Sequence, residues 1–220
     1  MKLSILSSDP GHPVVPSLRR WKRDMEGRGH SVALCFQKSE LPDGDILFLV
    51  SCGHIIRDAE RQKYGAVLVL HASDLPRGRG WSPHIWSIVN GAREITVCLL
   101  EAADPVDTGH VWMRTTFTLE GHELLSEINE KLFAAELELM ARIVEDRGSI
   151  TPVPQVGEPG PYMPKRTGVD SRLDPNRPIA EQFDLLRVVD NERYPAFMDI
   201  RGTRYILKIE KAIRPNNDGQ

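Results

Sequence analysis

The sequence predicts an α/β fold, a two-sided sheet with helices packed against it, and three observations carry that reading. Short continuous apolar runs such as Ser31-Val-Ala-Leu-Cys-Phe36 and Asp45-Ile-Leu-Phe-Leu-Val50 recur along the first hundred positions. Such runs mark strands buried on both faces. Amphipathic helical stretches separate them. A turn rich in Gly, Pro and Arg, His71-Ala-Ser-Asp-Leu-Pro-Arg-Gly-Arg-Gly-Trp-Ser-Pro83, follows the apolar run Ala66–Leu70. In a doubly wound sheet, chemistry sits in loops of this kind at the carboxyl ends of strands.

Each element follows in order. Lys2–Ser7 reads as the first strand, and Ser8-Asp-Pro-Gly-His-Pro13 as its loop. Val14–Glu26 fits a helix with Leu18, Trp21 and Met25 on one face. Strands are expected at 31–36, 45–50 and 67–70, with a short helix at Arg57–Lys63 between the last two. After the turn come a helix around Ile85–Val89 and strands at 94–100 and 111–117. The polar, Pro-containing connection between those strands predicts a hairpin-like addition to the sheet. Glu120–Asp146 is a long helix with an apolar stripe through Leu124, Leu125, Ile128, Leu132, Leu139 and Ile143, ended by Gly148. Three regions result: a body over 1–148, a Pro/Gly-rich connecting segment over 149–178, and a small α+β extension over 179–220. The extension should hold a helix at Ile179–Val189 and strands at Tyr194–Met198 and Arg204–Glu210, turning at Arg201-Gly202.

The totals narrow the function classes. A chain of 220 residues, 40% hydrophobic and 27% charged, can bury a core without disulfides or a structural metal. Its net charge of -3 gives no basic footprint for nucleic acid, so none is expected as a partner. Cys35, Cys52 and Cys98 are odd in number and far apart, which predicts buried, reduced thiols and a cytoplasmic setting. Met1–Ser8 is too short an apolar run for a signal peptide, and no run reaches the ~20 apolar residues of a membrane span. The seven histidines lack paired ligand spacing, so no metal site is expected.

His71 is the leading catalytic candidate, an imidazole at a strand end before a turn whose glycines let the backbone approach a ligand. Arg77 and Arg79 would bind an anionic substrate group, and Trp81 would stack on a sugar or nucleotide. Asp107, in the Asp107-Thr-Gly109 turn, could fold over the end of the His71 strand and orient the ring.

His-x-Ser-x-Leu-Pro-x-x-x-Gly from His71 to Gly80, then Asn90-Gly91, then Asp107-Thr-Gly109, resembles the folate-dependent formyltransferase superfamily. The likeness extends over roughly 45–146, and the tail from Lys165 to Lys211 is similar to that of its sugar-modifying members. The resemblance implies a Rossmann-like formyltransferase sheet flanked by helices, a C-terminal extension with a helix and β-hairpin, and 10-formyltetrahydrofolate as cofactor. It implies His71 and Asp107 as the catalytic pair, and Cys52, Gly53, His54 and Ile55 as the cofactor loop, contacting the pterin through backbone. Ser73, Arg77, Arg79 and Trp81 are the expected substrate contacts. The implied reaction is formylation of an amino sugar, nucleotide-linked or a nonulosonic-acid precursor, by a cytoplasmic enzyme for which a homodimer is an allowed assembly. The acidic charge and a short tail set tRNA aside as acceptor. The family's catalytic asparagine, an oxyanion donor, falls on Val69 here. That position leaves two alternatives open: transfer of another acyl group from a donor such as acetyl-CoA, and a non-catalytic sugar-binding relative. Where the formyl reaction holds, Ser73, His54 or backbone N–H groups would supply the missing donor.

Overall fold

A computed structural model describes residues 1–212. Six strands form one sheet: β1 (Lys2–Leu6), β2 (Ser31–Cys35), β3 (Gly44–Leu49), β4 (Tyr64–His71), β5 (Glu94–Glu101) and β6 (Val111–Thr118), in the order β2-β1-β3-β4-β5-β6. The first four are parallel, as the buried runs predict. β5 and β6 form the expected hairpin, but β5 runs antiparallel to β4, with His71 opposite Cys98. The connection between β4 and β5 holds the turn after His71 and one seven-residue helix, Pro83–Val89.

The helices are α1 (Val15–Gly27), α2 (Asp58–Arg61), α3 (Pro83–Val89), α4 (Leu125–Asp146) and α5 (Phe183–Leu186). α1 buries Leu18, Trp21 and Met25 as its periodicity requires. These join Leu3, Ile5, Phe48, Leu68 and Leu70 with Phe133, Leu139 and Met140 of α4 in the main core. α4 starts at Leu125, five residues after the expected Glu120. The Glu123 carboxylate accepts the N–H groups of Glu120 and Gly121 at 2.9 Å each, and Gly121 has φ +99°, so this stretch is an ordered loop. Those bonds and Lys131 hold the Glu123 carboxyl far below the usual range despite its burial.

Glu136 is the polar exception in the α4 face. It is buried, one carboxylate oxygen has no partner among the described residues, and desolvation raises its pKa to about 8. The folded state therefore holds a proton that the unfolded chain releases near pH 4.5, so stability falls as pH rises from about 4.5 through 8. Glu136→Gln should abolish this trend. Thermal midpoints of wild type and variant that stay parallel between pH 5 and pH 8.5 would refute the assignment.

In the extension, the helix expected over 179–189 is a 3-10 turn (Ile179–Gln182) running into the single turn of α5. The Gln182 amide is drawn away from the surface to Asp174 and Arg177, which fixes the shorter form. β7 (Ala196–Ile200) and β8 (Thr203–Leu207) pair through Arg201-Gly202, both at positive φ. Residues 213–220 of the expected extension lie outside the described residues. No helix among the described residues is long and apolar enough to cross a membrane.

Candidate active site

Strand alternation decides what surrounds His71. Leu68 and Leu70 enter the main core, so Val69 and His71 face the opposite side. Val69 is partly exposed and, like Cys52 and Ala102, packs against the apolar cluster of Leu47, Leu49 and Val67 on that side of the sheet. Because β5 ends beside Val67, with the Ala102 N–H donating to the Val67 carbonyl at 2.8 Å, the β5–β6 loop must fold back along this face. That geometry brings Asp107 to His71.

The His71 Nε2 lies 2.9 Å from the Gly78 carbonyl. A carbonyl only accepts, so in the neutral ring the proton belongs on Nε2 and Nδ1 is the free base. Nδ1 stands 3.6 Å from Asp107 Oδ1, too far for a direct hydrogen bond and close enough for strong attraction once Nδ1 is protonated. Asp107 is itself fixed: its Oδ2 accepts the Gly80 N–H at 2.9 Å, and the Gln155 amide donates to the carbonyls of Asp107 and Gly109. The hydrogen bond that fixes the ring thus comes from the Gly78 carbonyl, and Asp107, which the sequence leads one to expect in that role, faces the other nitrogen.

The Pro/Gly-rich segment 149–178 lies across the turn after β4. Met163 N–H donates to the Arg79 carbonyl at 2.7 Å, and the Trp81 N–H donates to the Met163 carbonyl at 3.0 Å. A Cβ on Gly80 would come within 2.3 Å of that carbonyl, so this approach requires glycine there. The Trp86 indole donates to the Pro164 carbonyl, and Lys165 stands over the Trp81 ring. Val153 pairs with Val111 by backbone bonds in both directions.

The remaining sequence candidates are distributed around this centre. Trp81 is exposed and its ring would stand 3.4 Å from a Cβ on Gly53, so the glycine turn meets loop 50–56. The Gly53 N–H is already given to Ser8 Oγ at 2.6 Å. Cys52 is linked to Ser8 and the His54 carbonyl, and burial raises its thiol pKa. His54 Nε2 turns to the Phe36 carbonyl at 3.4 Å, whereas Ile55 is exposed. Ser73 is sealed under the turn and its hydroxyl has no partner among the described residues. Arg77 projects into solvent beside Asp74 and lines a groove of about 580 Å³ with Arg114 and 153–158. Arg79 is half-buried.

Sequence reasoning missed Gln155 and Met163. A Pro/Gly-rich stretch signals a chain that wraps a surface, but nothing in it says which surface. Strain offered a second clue that only coordinates give: Ser51, Ser82 and Asp107, all at positive φ, stand in the three loops around His71. No group of three His, Cys, Asp or Glu able to hold a metal ion occurs among the described residues.

Comparison with known proteins gives a consistent result. A family model described as formyl transferase matches residues 27–144. The methionyl-tRNA formyltransferase of Rickettsia massiliae (strain Mtu5) is 32% identical over 134 residues, 60% of this chain and 44% of that protein. The match thus spans under half the length of that relative. Among solved structures, a methionyl-tRNA formyltransferase from Clostridium thermocellum superposes with TM-score 0.81 at 20% identity, covering 99% of this chain and 95% of that one. HypX from Aquifex aeolicus in complex with tetrahydrofolic acid gives 0.76 at 22%, over 94% and 37%. A 4-N formyltransferase from Francisella tularensis gives 0.73 at 16%, over 96% and 98%. At these identities the structures establish a shared fold.

Proposed function

The chain belongs to the formyl transferase family, and we propose that it moves a formyl group from 10-formyltetrahydrofolate to the amine of a small amino sugar. The observation that carries the reaction is His71, with Nδ1 free and facing Asp107 across 3.6 Å. An acceptor amine would bond to the formyl carbon and lose a proton to Nδ1, which would pass it to the folate nitrogen as that nitrogen's bond to the formyl carbon breaks. The resulting imidazolium would face the Asp107 carboxylate, which stabilises the charge formed during the reaction. The buried Gly78 bond fixes the ring so that this costs little reorganisation.

The chain's residues suit a folate donor. Ile55, Trp81 and Val106, three large exposed apolar side chains, come from the loop after β3, the turn after β4 and the β5–β6 loop. A flat heteroaromatic ring would bury apolar surface against them. With Val69 in place of an amide donor, the oxyanion would be met by the protonated His71 itself. HypX, with bound tetrahydrofolic acid, shares this fold.

The amino-sugar acceptor is supported by the net charge of -3; the Francisella 4-N formyltransferase matches over nearly the whole of both chains, as the Clostridium methionyl-tRNA formyltransferase also does. Methionyl-tRNA is the rival acceptor, favoured by the sequence of the Rickettsia relative. Incubating the chain with 10-formyltetrahydrofolate and either an amino-sugar nucleotide panel or methionyl-tRNA separates them by mass. A formyl increment on a sugar is expected. Formylation of methionyl-tRNA alone, or transfer from acetyl-CoA in place of the folate, would overturn the assignment.

A further inference from the structure

The Pro/Gly-rich segment 149–178 bonds to the turn that carries Asp107. Val153 and Val111 form an antiparallel bridge, with backbone bonds of 2.8 and 2.9 Å. Carried two residues further along each chain, that register sets Gln155 opposite Gly109, at the end of the Asp107-Thr-Gly109 turn. The Gln155 side-chain nitrogen donates to the Asp107 carbonyl at 2.9 Å and to the Gly109 carbonyl at 3.0 Å. Only the NH₂ end of the amide can face two carbonyls, so its partners settle its orientation. The other end, Oε1, is sealed and finds no partner among the described residues. The side chain bonds to this turn and, within the described residues, to nothing else.

Those carbonyls need the donor. Residues 107 and 109 aim their oxygens at one nitrogen, and without it two partial negative charges would be left side by side. The turn's own bond, from Thr108 Oγ1 to the Pro105 carbonyl at 2.6 Å, serves neither. Asp107 has φ +60°, a left-handed conformation that persists where its surroundings impose it. Gly109 is pressed so closely on β5 that a Cβ there would fall on the Glu101 carbonyl, so a released turn can relax only away from the sheet. The same segment also holds the other end of Asp107. Its Oδ2 accepts the Gly80 N–H at 2.9 Å, and both neighbours of Gly80 bond to the Met163 backbone. One stretch of chain thus fixes the backbone that carries the carboxylate and the donor that the carboxylate accepts. A shift at either end moves Oδ1 relative to His71 Nδ1, 3.6 Å away.

We propose that Gln155 is a positioning residue for the reaction: its amide sets the place of the Asp107 carboxylate opposite His71. Segment 149–178 is then part of the active centre, although His71 and Asp107 both precede it in the chain. The proposal rests on the acyl-transfer reading above for the task of Asp107, and on the geometry of the turn for the task of Gln155. Gln155 acts through Asp107 and not on the reacting atoms, so its loss lowers turnover and leaves ligand affinity in place.

Gln155→Glu and Gln155→Ala in the full chain test it. Glutamate keeps the shape and removes the N–H donor; alanine removes both. The Gly80 amide, followed by NMR, reports on the Asp107 carboxylate without any turnover. In both variants its hydrogen exchange is expected to quicken at least about tenfold as the bond to Asp107 Oδ2 loosens. The Val111 amide, bonded to Val153, should keep its protection, which shows that the variants are folded with the segment still docked. In formyl transfer kcat should fall about 10- to 10²-fold, with KM for the acceptor within about twofold of wild type. Unchanged Gly80 exchange in both variants, or kcat within about threefold of wild type, would overturn the proposal. So would an equal loss of protection at Val111, because Gln155 would then dock the segment and not place Asp107. A wild-type chain that moves no formyl group, while Gly80 still responds to both substitutions, counts against the formyl reading and upholds the anchoring of Asp107.

Discussion

His71→Gln is expected to lower kcat/KM for formyl transfer by about 10²–10⁴, the usual contribution of a positioned acid–base group, with the thermal midpoint close to wild type. Glutamine is the informative replacement. Its amide nitrogen can occupy the place of Nε2 and still donate to the Gly78 carbonyl, 2.9 Å away in the native protein. It has no base where Nδ1 stands, 3.6 Å from Asp107. The variant therefore keeps the turn and removes the proton acceptor. Single-turnover rates with the formyl donor would measure it. A variant within about tenfold of wild type would show that positioning alone, rather than Nδ1, carries the reaction.

Arg187→Ala should destabilise the protein by about 3–5 kcal/mol, the range for removing one member of a buried ionic set. Arg187 is fully buried. Its Nε binds Asp184 at 2.7 Å, and its Nη1 reaches the Glu123 carbonyl at 3.4 Å and carboxylate at 3.9 Å. Its neighbour Val188 enters the apolar cluster of Ile85, Ile88, Ile95, Leu119 and Ile128. These contacts lock the C-terminal extension to α3, the helix that follows the catalytic turn. Without the guanidinium, Asp184 and Glu123 keep Arg93 and Lys131 as partners but lose their shared internal cation. Denaturant titration checks the magnitude, and limited proteolysis should cut the extension first. A loss below about 1 kcal/mol would mean that apolar packing alone docks the extension.

The sequence was most informative where a local pattern has one physical solution. Apolar runs such as Ile46–Leu49 cannot be solvated, and the Leu18, Trp21 and Met25 spacing closes only as a helix, so the parallel half of the sheet and α1 appear where expected. It was least informative where a long-range partner overrides local preference. Glu123 holds Glu120–Leu124 out of a helix because its carboxylate binds backbone N–H groups, and Gln182 shortens the following helix by reaching Asp174 and Arg177.

The site divides the same way. By itself the sequence determined the turn from His71 to Pro83, the Asp107-Thr-Gly109 turn and Val69 two residues before the histidine, because each is a local arrangement of residue types. Only the tertiary structure decided which ring nitrogen is left free, since the Gly78 carbonyl and the Asp107 carboxylate approach His71 from different stretches of chain. Strand and helix periods act over a few residues, whereas an active site is assembled from loop ends that meet once the sheet has set their positions.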